Sequence, residues 1–574
     1  MSSVADLSAA LGDIPVVVAA SNELVPAYFE MAERRRAGAA FAAMFLIPDQ
    51  RGAYAYSLAT HVVHKGDYDH RRELFDGIAS ANVNVEGRPI TEHNRVPVEL
   101  RTALADMSRL PDVLIVRSRY DAQLQRLLRG YGLPNIVRWY PSRRLGDWTP
   151  GPRRRYVVIW APNSRAEETA IHTFALFELH AEVVVISKGG QGTSTSANYL
   201  EAGSPQVAGV LSQAICIVDV TLDDPSWTQA FAERGLSVAA AMTSGANEVA
   251  DGVALYEPWS YRSICTATLE AMSRPASHAR ESAPSPSVIS RALDAARPPL
   301  VQTTPLVSMI VPTYNRRDDL LRILTRLKEQ RYENFEIIVV NDGGEPVADL
   351  APLDARIRAY DRESNAGVAS AVNFGMSQAK GTYIGILADD DELYADHLLR
   401  LVAALEGSGI GVAHSNIMIR FEAEQDGRRF TSGYNCSTFI EALDPLEVYA
   451  SSPIAGNAML VRREVYERAG AFREDVILAD QEIQIRFAQI TDFVHVPHVT
   501  GEWLVRDAGD TQLSHKSKGD LPSDMRRIYE LHPKASRYLE QLREVTIRTV
   551  AGRPPGHIFP QVVKRVPQRA GQVT

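Results

Sequence analysis

From residue 14 to about 150 the chain alternates short apolar runs with polar, helix-periodic stretches. The runs "IPVVVAA", "FAAMFLI", "DVLIVRS" and "NIVRWYP" read as strands, and "DAQLQRLLRGYG" as a helix closed by glycine. After the Pro/Gly/Arg-rich joint "TPGPRRR" a second alternation begins. Its strands are "YVVIWAP", "AEVVVIS", "AICIVDV" and "LSVAAAM", separated by helices such as "ETAIHTFALFELH". From 273 to 304 proline, serine and alanine dominate, which predicts a semi-extended linker broken only by a short helix near Ile289 to Ala296. Beyond it, "LVSMIVPTYNRRDDLLRILTRLKEQRYENFEIIVVNDGG" reads as strand, loop, amphipathic helix, strand and acidic turn. Leu320, Leu321, Leu324 and Leu327 recur there at helical spacing, so one face packs on a sheet. Closing helices are expected around 525–530 and 534–550, before a mildly basic tail. The expected organisation is two α/β subdomains (1–150 and 151–272), a linker (273–304), a larger α/β domain (305–520) and C-terminal helices with a tail (521–574).

Composition narrows the class. At 574 residues the chain exceeds one ordinary domain, and 45% hydrophobic residues suffice for real cores. Seventy acidic against sixty-one basic residues, a formal charge of −9, argue against general nucleic-acid binding. Cys216, Cys265 and Cys436 are scattered and odd in number, which suits a reducing compartment rather than a disulfide framework or a zinc cluster. The N-terminus lacks a basic segment followed by an apolar core, and the longest apolar run, from about Ala37 to Ile47, is too short to cross a bilayer. A cytoplasmic protein is expected.

Candidate chemistry centres on "IGILADDDE", residues 384–392. An apolar run with β-branched Ile384 and Ile386 suits a buried strand. Three consecutive carboxylates, Asp389, Asp390 and Asp391, stand where that strand must end. Such neighbours repel, and a cation or open water must neutralise them. One reading is a divalent-cation and diphosphate site at the carboxyl end of a parallel strand. The plainer reading is a solvated turn with Asp391 capping the next helix. The strand Ile337 to Val340 runs into Asn341-Asp342-Gly343-Gly344, where glycines permit tight turning and close approach of a ligand. Right-handed crossovers bring such strand ends onto one edge of the sheet.

In this order the motifs resemble the family 2 glycosyltransferases, whose catalytic domain has the GT-A fold, a Rossmann-like nucleotide-diphospho-sugar transferase architecture. The resemblance covers about residues 305 to 515. It implies that Pro312, Thr313 and Tyr314 lie near a uracil, that Asp342 accepts from its N3–H, and that Asn373 belongs to a helix starting over the nucleotide. It also implies Asp390 as principal metal ligand and Asp389 as ribose or secondary metal partner, with Mn²⁺ or Mg²⁺ as cofactor and His515 as a further candidate ligand. In "SPIAGNAMLVRREVYERAGAFREDVILADQEIQIRFA", Gly456 and Asn457 would line the acceptor side and Asp480 would be the general base. N-capping is the alternative role for Asp480. The chain departs from the family pattern at Ala388, Val372 and Ala479, where polar residues are usual.

The two N-terminal subdomains resemble the Rossmann-like pair of GT-B glycosyltransferases, on the stretch "SGANEVADGVALYEP". In that family Glu248-Val249 and Asp251-Gly252 would sit in a nucleotide-sugar half. The acidic helix normally preceding it is contracted, with Glu233 alone in place, so a degenerate, noncatalytic pair is expected.

The combined expectation is a metal-dependent, inverting, non-processive glycosyltransferase using a UDP-sugar donor and a glycan, small-molecule or peptide acceptor. Nucleic acid and transmembrane segments are not expected, and a second copy of the chain is a candidate partner. The alternatives are a noncatalytic nucleotide-sugar-binding scaffold and a nucleotidyltransferase.

Overall fold

The computed structural model describes residues 4–20, 24–46, 107, 110–117, 135–141, 156–162, 181–189, 197–221, 224–242, 244–257, 261–280, 284–297, 304–425, 428–435, 447–506, 521–534, 536–551 and 563–564, with isolated positions between 143 and 179. The expected helix at 121–132 lies outside the described residues, as does His515. The chain divides into two compact units, residues 1–27 with 41–296, and residues 28–40 with 297–574. The second unit is thus discontinuous in sequence.

The first unit holds the strands of both expected alternations. Strands β1 (Val16–Ala20), β2 (Ala42–Leu46), β3 (Val113–Val116) and β4 (Asn135–Arg138) pair in that order, all parallel. Near-continuous apolar runs such as Val113–Val116, buried throughout, belong in sheets covered on both faces. A second parallel sheet uses β5 (Tyr156–Ala161), β6 (Glu182–Ser187), β7 (Ala197–Glu201), β8 (Cys216–Asp219), β9 (Ser237–Ala241) and, beyond a two-residue strand β10 (Ala250–Asp251), β11 (Ala254–Tyr256). Its order is β11-β9-β8-β5-β6-β7, so the chain runs outward from β5 in both directions, the doubly wound Rossmann-like arrangement.

Within the expected linker, the short helix read near Ile289 to Ala296 is present as Ser287–Ala295, but it is packed rather than part of a semi-extended spacer. Within 273–304, β12 (His278–Ala279) pairs with β10, and the Ser287–Ala295 helix buries Ile289 and Leu293 in the core beneath β2 and β3. Apolar side chains at Ile289 and Leu293, four apart, form one helical stripe, and that stripe overrides the Pro/Ser-rich composition.

The second unit is built on a ten-stranded mixed sheet. Strands β13 (Val307–Thr313), β14 (Phe335–Asn341), β15 (Ile357–Asp361) and β16 (Tyr383–Ile386) form a parallel half ordered β15-β14-β13-β16. A two-residue strand, β17 (Glu392–Leu393), follows the acidic triplet. The other half comprises β18 (Val412–Gln425), β19 (Arg428–Asn435), β20 (Met459–Arg462), β21 (Phe493–Arg506) and β22 (Val563–Lys564). Strand β20 runs antiparallel to β16 and joins the halves.

The Arg317–Lys328 and His397–Ser408 helices bury Leu320, Leu324, Leu327, Leu398 and Leu401 on one face of the sheet. The other face carries the Val368–Gln378 and Ala479–Ala488 helices and the closing helices Leu521–Leu531 and Arg537–Ala551. Those closing helices place Met525, Ile528, Leu539 and Ile547 in the same core, so they complete this unit rather than trail from it.

Gly343 adopts φ +77°, and a Cβ there would stand 2.5 Å from the Asn365 nitrogen. The glycine therefore admits the chain's own Ser364–Asn365 backbone, where a ligand was the expected neighbour. Gly343→Ala is expected to lower the unfolding free energy by about 1–3 kcal/mol, from left-handed strain and overpacking together, as read from urea denaturation.

Candidate active site

Parallel pairing of β13 with β16, with Ile310 opposite Ile386, delivers Thr313 and the acidic triplet to the same sheet edge. Leu387 continues the ladder by donating its N–H to the Ile310 carbonyl at 2.9 Å. The chain then turns, with Asp391 N–H reaching the Ala388 carbonyl at 3.2 Å. Asp389 accepts from the Thr313 hydroxyl at 2.7 Å. One nitrogen of Arg316, Nη1, donates to Asp389 Oδ1 at 2.9 Å and to Asp390 Oδ2 at 2.7 Å. Two carboxylates thus converge on a single cationic point. Asp391 turns elsewhere, accepting from the Leu504 N–H of β21 at 3.3 Å.

The triplet is not a solvated turn, for Asp389, Asp390 and Asp391 are 4%, 8% and 8% exposed. Burial is the main force on their ionisation. It raises Asp389 to about 6 against the opposing pull of Arg316, and with the charge of Asp390 it raises Asp391 well above the carboxylate range. The helix capping expected of Asp391 does not occur either. Asp396, not Asp391, precedes the His397–Ser408 helix.

At the neighbouring strand end, Asp342 donates its N–H to the Thr313 carbonyl at 2.9 Å. Its carboxylate accepts from Arg362 at 2.5 Å and from the backbone N–H groups of Ala366 and Gly367 at 3.2 and 2.7 Å. Both oxygens are therefore engaged in holding the start of the Val368–Gln378 helix. Tyr314 is 46% exposed on the same edge, while Pro312 is buried as a ladder residue opposite Val340. Asn315 caps no helix. Its side chain instead accepts from the Glu345 N–H at 2.9 Å, which ties the first loop to the acidic turn. Asn373 uses both ends of its carboxamide on the Phe472–Glu474 segment. It is oriented to packing and not to the aspartates.

The antiparallel register that pairs Ile384 with Val461 carries the Gly456–Ala458 turn level with the residues after Ile386. Asn457 is buried there and donates to the Glu502 carbonyl at 3.1 Å, across from Glu392. The same segment supports the Ala479–Ala488 helix, because Gln484 donates to the Ile454 carbonyl at 2.9 Å and to Ser452 at 3.1 Å.

Asp480, in the first turn of that helix, reaches solvent. Protein nonetheless crowds its carboxylate enough that desolvation, with the charge of Asp524 adding, raises its pKa. Such a group is accessible yet more basic than a surface aspartate. Leu478 occupies the capping position. Glu482, two positions on, is buried and tied to Arg486 at 2.6 Å and His532 at 2.8 Å, which leaves Asp480 as the accessible acid of the pair.

Among the described residues no group of three or more His, Cys, Asp or Glu side chains is arranged to hold a metal ion. His495 stacks on His414 at 4.9 Å and bonds Asn416, a packed histidine as its strand setting suggests. Two recesses of about 310 and 260 Å³ lie toward the amino end of β16, lined by residues such as Lys380, Arg463 and Glu467, away from the aspartates.

The family model described as "Glycosyl transferase family 2" matches residues 308–470, the span from β13 through the acidic triplet to the Gly456 turn. The C-terminal half is a family 2 glycosyltransferase domain. The chain is 26% identical over 241 residues to an uncharacterized glycosyltransferase, YwdF, of Bacillus subtilis, covering 42% of this chain and 83% of that relative. It is 32% identical over 188 residues to another from the same organism, EpsJ, covering 31% of this chain and 54% of the relative. A solved mannosyltransferase from Pyrobaculum calidifontis, in complex with GDP-Man and Mn²⁺, is 20% identical with a TM-score of 0.33 over 44% of this chain and 74% of its own, a likeness too slight to build on.

The matched domain carries cationic residues that motif reading missed. Arg316 holds the aspartate pair, Arg362 holds Asp342, and Arg322 donates to the Asp390 carbonyl at 3.2 Å. The signal for them was electrostatic, since buried carboxylates demand cations close by; of the two arginines in "NRRDD" only Arg316 meets that demand, while Arg317 turns to the exposed Asp349.

Because Asp389 is harder to ionise folded than unfolded, the folded domain binds the extra proton. The contribution of Asp389 to stability therefore falls as pH rises from about 4 to about 6. Asp389→Asn is expected to flatten that descent by up to about 3 kcal/mol, read from denaturant unfolding across the pH range.

Proposed function

We propose that this domain transfers a sugar from a uridine diphospho-sugar to an acceptor hydroxyl with inversion, using a divalent cation held by Asp389 and Asp390. The observation that carries the reading is the convergence of those two carboxylates on one cationic point at the carboxyl edge of β16.

Hard divalent ions take one or two carboxylates and complete their shell with phosphate oxygens and water. The two converging aspartates fit that demand, and the diphosphate supplies what no third protein ligand among the described residues does. Arg316 occupies the point the ion would take, so the two compete for it. Thr313 orients Asp389 through its hydroxyl. The bound ion would contribute Lewis-acid neutralisation of the departing diphosphate.

Tyr314, exposed beside Thr313, offers a ring to the base. Asp342 shapes that end through Arg362 and the Ala366 and Gly367 amides, and contacts the uracil only by sharing its oxygens with them. Gly456 and Asn457 frame the acceptor side. Asp480, accessible and with a raised pKa, takes the proton as the acceptor hydroxyl attacks the anomeric carbon. A single base with no protein nucleophile implies one in-line displacement, hence inversion.

The first unit we read as a GT-B-like pair without transfer chemistry, serving acceptor recognition, packing or self-association. Its strand order supports this, as does the pairing of Glu248 with Arg138 at 2.9 Å and of Asp251 with Arg280 at 2.6 Å. The acids a donor site would use are neutralised internally. No helix among the described residues is long and apolar enough to cross a membrane.

With Mn²⁺ and a panel of UDP-sugars, Asp390→Asn is expected to lower donor turnover at least 100-fold and weaken UDP binding. Asp480→Asn should leave UDP affinity within about twofold while transfer falls by a similar factor. Turnover retained by Asp390→Asn would remove the metal reading, and turnover retained by Asp480→Asn would move the base elsewhere.

A further inference from the structure

The acidic triplet leads into a second electrostatic problem. Glu392 follows Asp391 immediately, and the antiparallel register of β17 with β21 sets it directly opposite Glu502. Like charges directly opposite on paired strands repel, and these two are 4% and 0% exposed, so water does little to screen them. The ladder is tight as well, since a Cβ on Gly501 would stand 2.8 Å from the Glu392 carbonyl.

Arg420, on β18, meets one side of the pair, at 2.6 Å from Glu502 and 3.5 Å from Glu392. Arg326 approaches Glu392 at 3.3 Å. A further close cation comes from far outside the family-matched span. Arg36 places Nη2 at 2.7 Å from Glu502 and Nε at 3.2 Å from Glu392, and bonds the Tyr434 hydroxyl at 3.3 Å. Tyr394 donates its hydroxyl to Glu502 at 2.8 Å, and Glu33 holds the outer face of Arg36 at 2.7 Å.

Arg36 ends the Leu24–Arg36 helix, whose part from Tyr28 onward, with the following turn to Ala40, belongs to the same compact unit as the transferase sheet. The segment is seated along its length. Tyr28 and Phe29 pack on Tyr434 with ring centres at 5.5 and 5.2 Å, and Arg35 lies 3.8 Å from Asp396, both 1% exposed. Gly38 lies close enough that a Cβ would stand 3.2 Å from Ala395. Met31 and Ala32 are fully buried on the same helical stripe.

We propose that residues 28–40 are an integral part of the transferase domain and that Arg36 is a positioning residue for the donor site, neutralising Glu392 and Glu502 so that β17 stays paired with β21 beside the aspartates. The proposal rests on the reading of Asp389 and Asp390 as the donor diphosphate site. Arg36 touches no donor. It acts through β17, which is continuous with the triplet, and through β21, whose Leu504 N–H holds Asp391. Without Arg36, two opposed carboxylates lose one of their bridging cations, and the strand pair that anchors the aspartate turn is pushed apart.

The test uses the full chain, with UDP and Mn²⁺ as the probe and calorimetry as the readout. Arg36→Met is expected to weaken UDP binding at least tenfold. Arg36→Lys, which keeps the charge but not the fork, should lose less. The charge-balanced Arg36→Met/Glu502→Gln variant should recover most of the affinity, and should be recovered folded even if Arg36→Met is not. A role confined to packing would lower the melting temperature of Arg36→Met yet leave the UDP affinity of the folded protein unchanged, and that outcome would overturn the proposal. So would a double variant no better than the single one. Failure of the wild type to bind UDP, or full binding by Asp390→Asn, would instead sink the donor-site reading on which the proposal stands.

Discussion

Four successive carboxylates, Asp389 to Glu392, are buried at the edge of one sheet, and a fifth, Glu502, is packed against the last of them. In a medium of low dielectric such a run is tolerated only if cations stand among its members. The second unit answers with guanidinium groups from separate stretches of chain. Arg316 comes from the loop after β13, Arg326 from the helix behind it, Arg420 from β18, and Arg36 from a helix that precedes the domain by most of the chain's first half. Arginine suits the task, because its planar fork can address two carboxylates at once and keeps its charge when buried. The acidic edge and its counterions are one construction, and the helix bearing Arg36 is part of it.

Much of the architecture was legible in the pattern of apolar positions. Runs rich in β-branched residues, such as "FEIIVV" and "DVLIVRS", suit a sheet covered on both faces, and the runs read as strands are strands where they lie among the described residues, although "VTIRTV" is helical. The sheet edge that carries the aspartates followed from the same reading, since parallel neighbours must end together. Composition misled at 273–304, where proline and serine suggested a spacer while Ile289 and Leu293 carried the decisive contacts. Local sequence could not reveal that residues 28–40 leave the sheet order around them and join the second unit, because a helix with a basic end carries no mark of the sheet on which it will pack.

At the site, residue type was easier to read than residue duty. Thr313 and the aspartates stand together at one edge, as their motifs implied. Pro312 and Asn373 carry the right names, yet the first is a ladder residue and the second fastens a helix to a loop. Asp342 is fully engaged before any base arrives. These differences share a cause. A polar side chain near a site either faces the ligand or holds something that does, and only the hydrogen-bond partners distinguish the two. Two of the departures from the family pattern fall into place similarly: Val372 and Ala479 are buried in the apolar core of that sheet face, where polar side chains would need partners.

The central claim is that the point now held by Arg316 between Asp389 and Asp390 is where a cation bearing the donor's diphosphate binds. Diffraction at the manganese absorption edge, from crystals of the protein grown with Mn²⁺ and UDP, locates that ion directly. An anomalous peak between the two carboxylates, with the Arg316 side chain displaced and phosphate oxygens completing the ion's shell, is the expected result. A peak elsewhere, or UDP bound with Arg316 still bridging both aspartates, would contradict it.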